Sequence, residues 1–176
     1  MPGCLVLVVG PSGAGKDTLL RLARAALAGD PRYVFPRRLV TRPPSADEDN
    51  DEIDEAAFAE GCAAGRFTLS WRAHGLGYAL PEAVGRRVAE GHVVVCNVSR
   101  RVVAGARESG RRVSVVEITA PPEILARRIA ARGRAQDGDL AARLAREGGV
   151  TADLTILNTG AADEAAARLV AHLRAC

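Results

Sequence analysis

The strongest constraint on the fold is a glycine-rich segment near the start of the chain, placed between an apolar run and a helical pattern. The run Leu5–Val9 is too short for a helix and rich in Val, which predicts a buried parallel strand. Gly10, Gly13 and Gly15 follow it, and apolar residues then recur at helical spacing from Leu19. Strand, glycine loop and helix in this order are the context in which such a segment binds phosphate.

The residue types of this loop suit a polyphosphate. Glycines let backbone N–H groups turn towards phosphate oxygens, and the following helix adds the positive end of its dipole. Lys16, the only lysine of the chain, supplies a mobile charge for the β- and γ-phosphates. The alternative is an ordinary strand–turn–helix that happens to be glycine-rich. The residues predicted to bind the nucleotide here are Gly10, Pro11, Ser12, Gly13, Ala14, Gly15, Lys16, Asp17 and Thr18.

One position of the loop departs from the usual pattern. A Ser or Thr whose hydroxyl binds Mg²⁺ normally follows the lysine, whereas this chain has Asp17 and then Thr18. A carboxylate suits Mg²⁺ and is favourable at a helix N-terminus. We therefore expect Asp17 to bind Mg²⁺ directly or through water. In the alternative, Asp17 only caps the helix and Thr18 binds the metal.

Length, charge and cysteine usage narrow the class of protein. The 176 residues are enough for one domain with its own core, and the net charge of +3 with 3% aromatic residues does not favour nucleic acid as a partner. The four cysteines have no paired spacing, which indicates reduced thiols of a cytoplasmic protein. No apolar segment is long enough to span a membrane. We expect a cytoplasmic monomer or homodimer.

Apolar strands alternate with helical patterns along the whole chain, which predicts an α/β fold with a parallel sheet and helices on both faces. Two segments interrupt the alternation, an α/β insertion at residues 36–80 and an arginine-bearing lid at residues 133–146. Core, acceptor-binding insertion and lid are the parts of a small P-loop kinase, which closes so that ATP is not lost to water. The predicted core comprises residues 1–35, 81–132 and 147–176.

Polar residues outside the loop are candidates for binding an acceptor. Arg38 and Arg42 are predicted on one face of a strand, where they would clamp a phosphate, although paired arginines are also common on solvated surfaces. Asn97, Ser99 and Arg100 lie at the carboxyl end of a second buried strand, at the sheet edge where ligands bind in open α/β folds. The acidic run at residues 47–55 is either a solvated loop or part of the acceptor pocket.

These motifs together resemble the guanylate kinase family over nearly the whole chain. The segment Arg38–Pro44 matches the family's acceptor segment, and Gly77-Tyr78 and the lid follow in order. The resemblance implies an ATP- and Mg²⁺-dependent kinase. It implies that the acceptor phosphate is held by Arg38, Arg42 and Tyr78, that Arg128, Arg132 and Arg143 contact the transferred phosphate, and that Asn158 lies near adenine.

The departures from that family concern the base. Guanylate kinases read guanine with a Glu where this chain has Ser70 and with a Ser where it has Leu80. Aspartates of the family are replaced at Asn97 and Ser99, and a tyrosine of the acceptor loop is missing. A site built to hydrogen-bond guanine loses its selectivity without these partners. We therefore expect a phosphate monoester without guanine as the acceptor.

Gly15-Lys16-Asp17-Thr18 and Asn97–Arg100 resemble one branch of the family, whose members phosphorylate ribose 1,5-bisphosphate in bacterial phosphonate catabolism. The resemblance implies a phosphorylated sugar as substrate and 5-phosphoribosyl 1-diphosphate as product. The second phosphate would need an anionic subsite, for which Arg72 or Arg100 is proposed, unless both are plain surface residues. A nucleoside monophosphate kinase is the alternative. A non-catalytic interaction module is disfavoured because the loop glycines and Lys16 are present.

Overall fold

The computed structural model describes residues 2–43, 49–132 and 150–176. The described part of the chain forms two β-sheets and a set of α-helices that pack around them. The strands are β1 (Cys4–Val9), β2 (Tyr33–Val34), β3 (Arg38–Val40), β4 (Asn50–Glu52), β5 (Phe67–Ala73), β6 (Leu76–Pro81), β7 (Val93–Asn97), β8 (Val113–Thr119) and β9 (Leu154–Leu157). The α-helices are α1 (Lys16–Ala26), α2 (Glu55–Ala63), α3 (Glu82–Ala89), α4 (Val103–Glu108), α5 (Pro122–Arg132) and α6 (Ala162–Ala175).

The larger sheet has five parallel strands in the order β2-β7-β1-β8-β9, with β1 at its centre. Every residue of β1 is buried. A central strand covered on both faces is apolar without alternation, which explains the run that predicted it. The predicted α/β fold with a parallel sheet is confirmed.

Helices cover both faces of this sheet. On one face α1, α5 and α6 pack against alternate strand residues such as Val8 and Ile118. On the other face α3 and α4 pack against Leu7 and its neighbours. Because the two layers hold β1 between them, the segment that follows β1 has a fixed starting point at the carboxyl edge of the sheet.

The second sheet has the order β4-β3-β6-β5 and is mixed, with β3 and β4 parallel and the other pairs antiparallel. Its strands come from the segment for which an insertion is predicted. Trp71 and Leu80 point from it into the same apolar cluster as α3 and α4. Burial of these side chains attaches the second sheet to the core.

Arg38 and Arg42 do not share a strand face, because β3 ends at Val40 and Arg42 lies in a bend beyond it. The predicted lid at residues 133–146 lies outside the described residues. Within the described ranges, no helix is both long and apolar enough to cross a membrane.

The exit of the chain from β1 yields a stability prediction. A Cβ at Gly10 would lie 1.9 Å from the carbonyl oxygen of Ile118, and φ at Gly10 is +145°. Because the obstacle is backbone, Gly10→Ala should lower the free energy of unfolding by at least ~2 kcal/mol. Chemical denaturation followed by circular dichroism measures this loss.

Gly105 provides the matched control. It lies inside α4, and a Cβ there would meet nothing within 4 Å beyond its chain neighbours and the backbone of its own helix. Gly105→Ala should therefore be neutral or stabilise the protein by up to ~1 kcal/mol, since Ala is the better helix former. Equal losses for both variants would contradict the proposed steric origin.

Candidate functional site

The loop between β1 and α1 has the conformation of a phosphate cradle. Gly13 and Gly15 have φ of +81° and +89°, in the left-handed region that side chains disfavour. The Lys16 ammonium donates to the carbonyl oxygens of Gly10, at 2.7 Å, and Pro11, at 3.0 Å. The lysine therefore lies across the loop, and its charge is placed where backbone N–H groups can surround an anion.

Asn158, which follows β9, braces this loop from behind. Its side-chain nitrogen donates to the carbonyl oxygen of Ala14 at 2.8 Å, and its backbone N–H donates to Thr119 at 2.8 Å. Asn158 is 6% exposed, and a Cβ at Gly15 would lie 2.5 Å from its amide nitrogen. The predicted position of Asn158 near adenine stays a prediction; the observed role of its side chain is to hold the loop.

Arg128 adds a second brace from α5. Its guanidinium donates to the carbonyl oxygens of Gly13, at 3.3 Å, and Asn158, at 2.9 Å. The sequence suggested a contact between Arg128 and the transferred phosphate, whereas these bonds position the loop. Arg132 ends α5, and Arg143 lies outside the described residues. Phosphate contacts of the three arginines remain predictions.

The carboxylate of Asp17 lies in the first turn of α1 and accepts a hydrogen bond of 3.0 Å from the Asn97 amide. Asn97 ends β7, so the bond joins the start of α1 to the neighbouring strand. The sequence proposed Asn97 for the substrate and did not indicate this bond. The amide orients the Asp17 carboxylate without adding a charge beside it, since an amide is neutral.

Asp17 and Thr18 carry oxygen atoms of the kind that Mg²⁺ prefers as ligands. Mg²⁺ commonly uses one or two protein ligands and completes its shell with phosphate oxygens and water. In the described ranges, no group of three or more His, Cys, Asp or Glu residues is arranged to hold a metal ion. One carboxylate beside a phosphate loop is a donor set of the kind that Mg²⁺ uses when phosphate oxygens and water complete its shell.

Arg38 is the centre of the predicted acceptor site. Its Nε donates to Asn50 Oδ1 at 3.1 Å, and one Nη donates to the carbonyl oxygen of Asn97 at 3.3 Å. The guanidinium lies 5.5 Å from the centroid of the Tyr78 ring, which is stacked on Trp71 at 5.4 Å. The structure thus brings Arg38 and Tyr78 together, and Asn97 connects them to Asp17 and the phosphate loop.

Asn50 is a site residue that sequence reasoning missed. It begins β4 within the acidic run, and it is 4% exposed although its neighbours Asp51 and Glu52 are exposed. Its carbonyl oxygen also accepts a hydrogen bond from Arg37 at 3.0 Å. The available signal was that Asn50 is the one uncharged residue between Asp47 and Glu52.

The two arginines proposed for a second anion are both paired with carboxylates. Arg72 forms an exposed ion pair with Glu55, and this hydrogen bond lowers the pKa of the Glu55 carboxyl group below its usual value. Arg100 and Glu117 form a pair of 2.6 Å, with side chains only 15% and 21% exposed. These pairs count against either arginine as a ready-made subsite.

The two positions that departed from guanine recognition are explained by their surroundings. Leu80 is fully buried in the apolar cluster between the sheets. Ser70 is exposed, and its hydroxyl accepts a 3.6 Å hydrogen bond from the Cys62 thiol of α2. Neither residue supplies a carboxylate that could read the edge of a base.

Comparison with known proteins assigns the chain to a family. No family model matches it. It is 52% identical to ribose 1,5-bisphosphate phosphokinase PhnN of Bradyrhizobium diazoefficiens, over 98% of this chain and 89% of that protein. The protein of the same name from Acidiphilium cryptum is 46% identical, over 99% of this chain and 94% of that protein. The chain belongs to the ribose 1,5-bisphosphate phosphokinase family.

The structural comparison concerns the fold alone. A guanylate kinase from Anaplasma phagocytophilum superimposes with a TM-score of 0.74 and 22% identity, covering 99% of this chain and 86% of that one. Membership of the ribose 1,5-bisphosphate phosphokinase family and a guanylate kinase-like fold were both expected from the sequence, and both are confirmed.

The brace behind the phosphate loop yields a second prediction. Asn158→Ala removes the donor that reaches the Ala14 carbonyl oxygen and leaves that buried acceptor unsatisfied. We expect the free energy of unfolding to fall by about 1–3 kcal/mol. Denaturant titration measures the loss, and Thr159→Ala, at the exposed neighbouring position, should change it little. A stable Asn158→Ala protein would show that the loop does not depend on this bond.

Proposed function

We propose that this chain transfers the γ-phosphoryl group of ATP to the 1-phosphate of ribose 1,5-bisphosphate, forming 5-phosphoribosyl 1-diphosphate and ADP. The observation that carries the proposal is the joining of two phosphate-binding elements at one edge of the parallel sheet. Asn97 bonds Asp17 beside the loop and Arg38 in the second sheet. Relatives that match nearly the whole chain bear the name of this activity.

The chemistry needs placement and charge more than a base. An oxygen of the acceptor phosphate attacks the γ-phosphorus, and the bond between that phosphorus and the β–γ bridging oxygen breaks, which releases ADP. The attacking oxygen is already anionic, so no strong general base is required. The loop N–H groups and Lys16 hold the phosphates and stabilise charge on the leaving oxygen.

Further charge compensation is expected at two places. Asp17 and Thr18 would hold Mg²⁺, which would supply positive charge that neutralises the phosphate oxygens. Arg132 and Arg143 are proposed to contact the transferred group when the site closes. Because ATP is the donor, we expect the reaction to take place in the cytoplasm.

The acceptor side favours a sugar phosphate over a nucleotide. Arg38, Arg42 and Tyr78 supply positive charge and a hydroxyl, which suit a phosphate monoester. The positions at which the guanylate kinase family is expected to read guanine hold Ser70 and Leu80, of which Leu80 is fully buried. A site that recognises phosphate but no base would accept ribose 1,5-bisphosphate and would not select a nucleoside monophosphate.

A coupled assay of ADP release tests the proposal. With ATP and Mg²⁺, we expect turnover with ribose 1,5-bisphosphate and none above background with GMP or AMP. Lys16→Ala should lower kcat by about 10³-fold or more, because the positive charge that Lys16 places beside the transferring phosphoryl group is lost. Lys16→Arg should also be impaired, since a rigid planar fork replaces a point charge in a narrow loop.

The other outcomes have distinct meanings. Turnover with GMP would make the chain a nucleoside monophosphate kinase and overturn the interpretation of Ser70 and Leu80. An inactive chain that binds neither ATP nor acceptor would support a non-catalytic interaction module. Circular dichroism of each Lys16 variant shows whether lost activity reflects lost folding.

Asn50→Ala tests the acceptor site by itself. Without Asn50 Oδ1 the Arg38 guanidinium loses the acceptor of its Nε bond, so we expect KM for the sugar bisphosphate to rise by about tenfold, equivalent to about 1.4 kcal/mol. KM for ATP should stay the same, because the loop is untouched. Glu52→Ala, at an exposed position of the same strand, is the matched control. Equal changes in both KM values would show that Asn50 acts through general stability.

A further inference from the structure

A second cluster of chemically active side chains lies at the opposite edge of the sheet from the phosphate loop. A cavity of about 250 Å³ is lined there by Cys4, Cys176, Ser114, His172 and Arg112, among others. Cys4 is the first residue of β1, whereas the phosphate loop follows the last residue of the same strand. The cavity is therefore separate from the proposed kinase site.

The two cysteines of this cavity are in contact. Cys4 is 1% and Cys176 is 7% exposed, and the two thiols share a hydrogen bond. None of the four cysteines forms a disulfide in the structure. The sequence did not predict that Cys4 and Cys176 meet, because they are far apart along the chain. Their contact requires α6 to return to the start of the central strand.

The surroundings favour ionisation of one member of the pair. The hydrogen bond from Cys4 lowers the pKa of the Cys176 thiol, and the Arg112 guanidinium and Ser114 lower it further, while burial opposes them. The same shared hydrogen bond, together with burial, raises the pKa of Cys4. A thiolate is the nucleophilic form of cysteine, so Cys176 is the reactive partner.

The polar neighbours keep this arrangement in place. Arg112 donates a 2.6 Å hydrogen bond to the main-chain oxygen of Cys176, and Ser114 bonds the His172 ring at 2.8 Å. Burial lowers the pKa of His172, so its ring is neutral at pH 7. By contrast, complete burial raises the pKa of Cys96 to about 12, which leaves that thiol unreactive.

We propose that Cys4 and Cys176 are a peroxide-sensitive thiol pair that closes into a disulfide. The Cys176 thiolate attacks one oxygen of hydrogen peroxide, the O–O bond breaks, and hydroxide is released. Cys176 is then a sulfenic acid. The Cys4 sulfur then attacks the Cys176 sulfur, the S–O bond breaks, and water leaves. The two thiols lose two electrons and two protons in total, and one peroxide becomes two waters. The cavity has room for so small an oxidant.

The disulfide would link the start of β1 to the residue after α6. Helix α6 itself packs on α1. Nearly the whole chain then lies within one covalent loop, so the disulfide should raise the thermal midpoint by restricting the unfolded chain. Because the phosphate loop lies at the far edge of the sheet, turnover should stay within a factor of two of the reduced enzyme.

Peptide mapping of the folded protein tests the pair. We would treat the Cys62→Ser protein, which lacks the exposed thiol, with stoichiometric hydrogen peroxide, block free thiols and digest without reductant. The expected result is a linked peptide of Cys4 and Cys176, a loss of two hydrogen masses from the intact protein, and reversal by dithiothreitol. Cys96→Ser, added to this background, should leave the linkage unchanged.

Single variants identify the attacking thiol. In Cys4→Ser, Cys176 should be trapped as a sulfenic acid by dimedone, whereas Cys176→Ser should leave Cys4 unlabelled. The proposal is overturned if both thiols are recovered in reduced form after peroxide treatment, or if Cys176 reaches the sulfinic acid without a linked peptide. The map of the Cys62→Ser protein decides this even if a Cys4 or Cys176 variant does not fold.

Discussion

The site depends on a steric constraint where the chain leaves the central strand. At Gly10 the backbone passes so close to the Ile118 carbonyl oxygen that a Cβ would lie 1.9 Å from it. Backbone inside a sheet cannot move aside to relieve a clash, as a flexible surface side chain can. The loop after β1 is therefore fixed at its origin by β8, and Asn158 and Arg128 fix its far side through the carbonyl oxygens of Ala14 and Gly13. A phosphate cradle held on both sides loses little entropy when an anion binds.

Three asparagines hold the loop and two charged side chains of the site in position. Asn158 holds the loop, Asn97 holds Asp17, and Asn50 holds Arg38. An amide donates and accepts hydrogen bonds without carrying charge. It can therefore orient a carboxylate or a guanidinium while leaving that group's charge available. A carboxylate in the place of Asn50 would cancel much of the charge of Arg38, which an anion-binding site needs.

The sequence was most informative where local pattern and chemistry agree. The strand, glycine loop and Lys16 could be predicted because their spacing is local, and the alternation of strands and helices predicted the parallel sheet. The roles of Asn50 and Arg128 could not be predicted, since each depends on a partner far along the chain. The same holds for Arg100, whose charge is matched by Glu117 from β8. The contact between Cys4 and Cys176 likewise exists only once α6 has packed.

The pairing of arginines with carboxylates bears on how a substrate with two phosphates could be held. A phosphate can take an arginine from a carboxylate only if the carboxylate is then satisfied by water. For Arg72 and Glu55 both side chains are more than half exposed, and such ion pairs contribute little, so exchange is easy. For Arg100 and Glu117 both side chains are mostly buried, and separating them would leave Glu117 charged in a poorly solvated place beside Val9. Of the two arginines proposed for a second anion, Arg72 is therefore favoured, and Arg100 with Glu117 is better interpreted as a fixed part of the sheet edge that supports the loop.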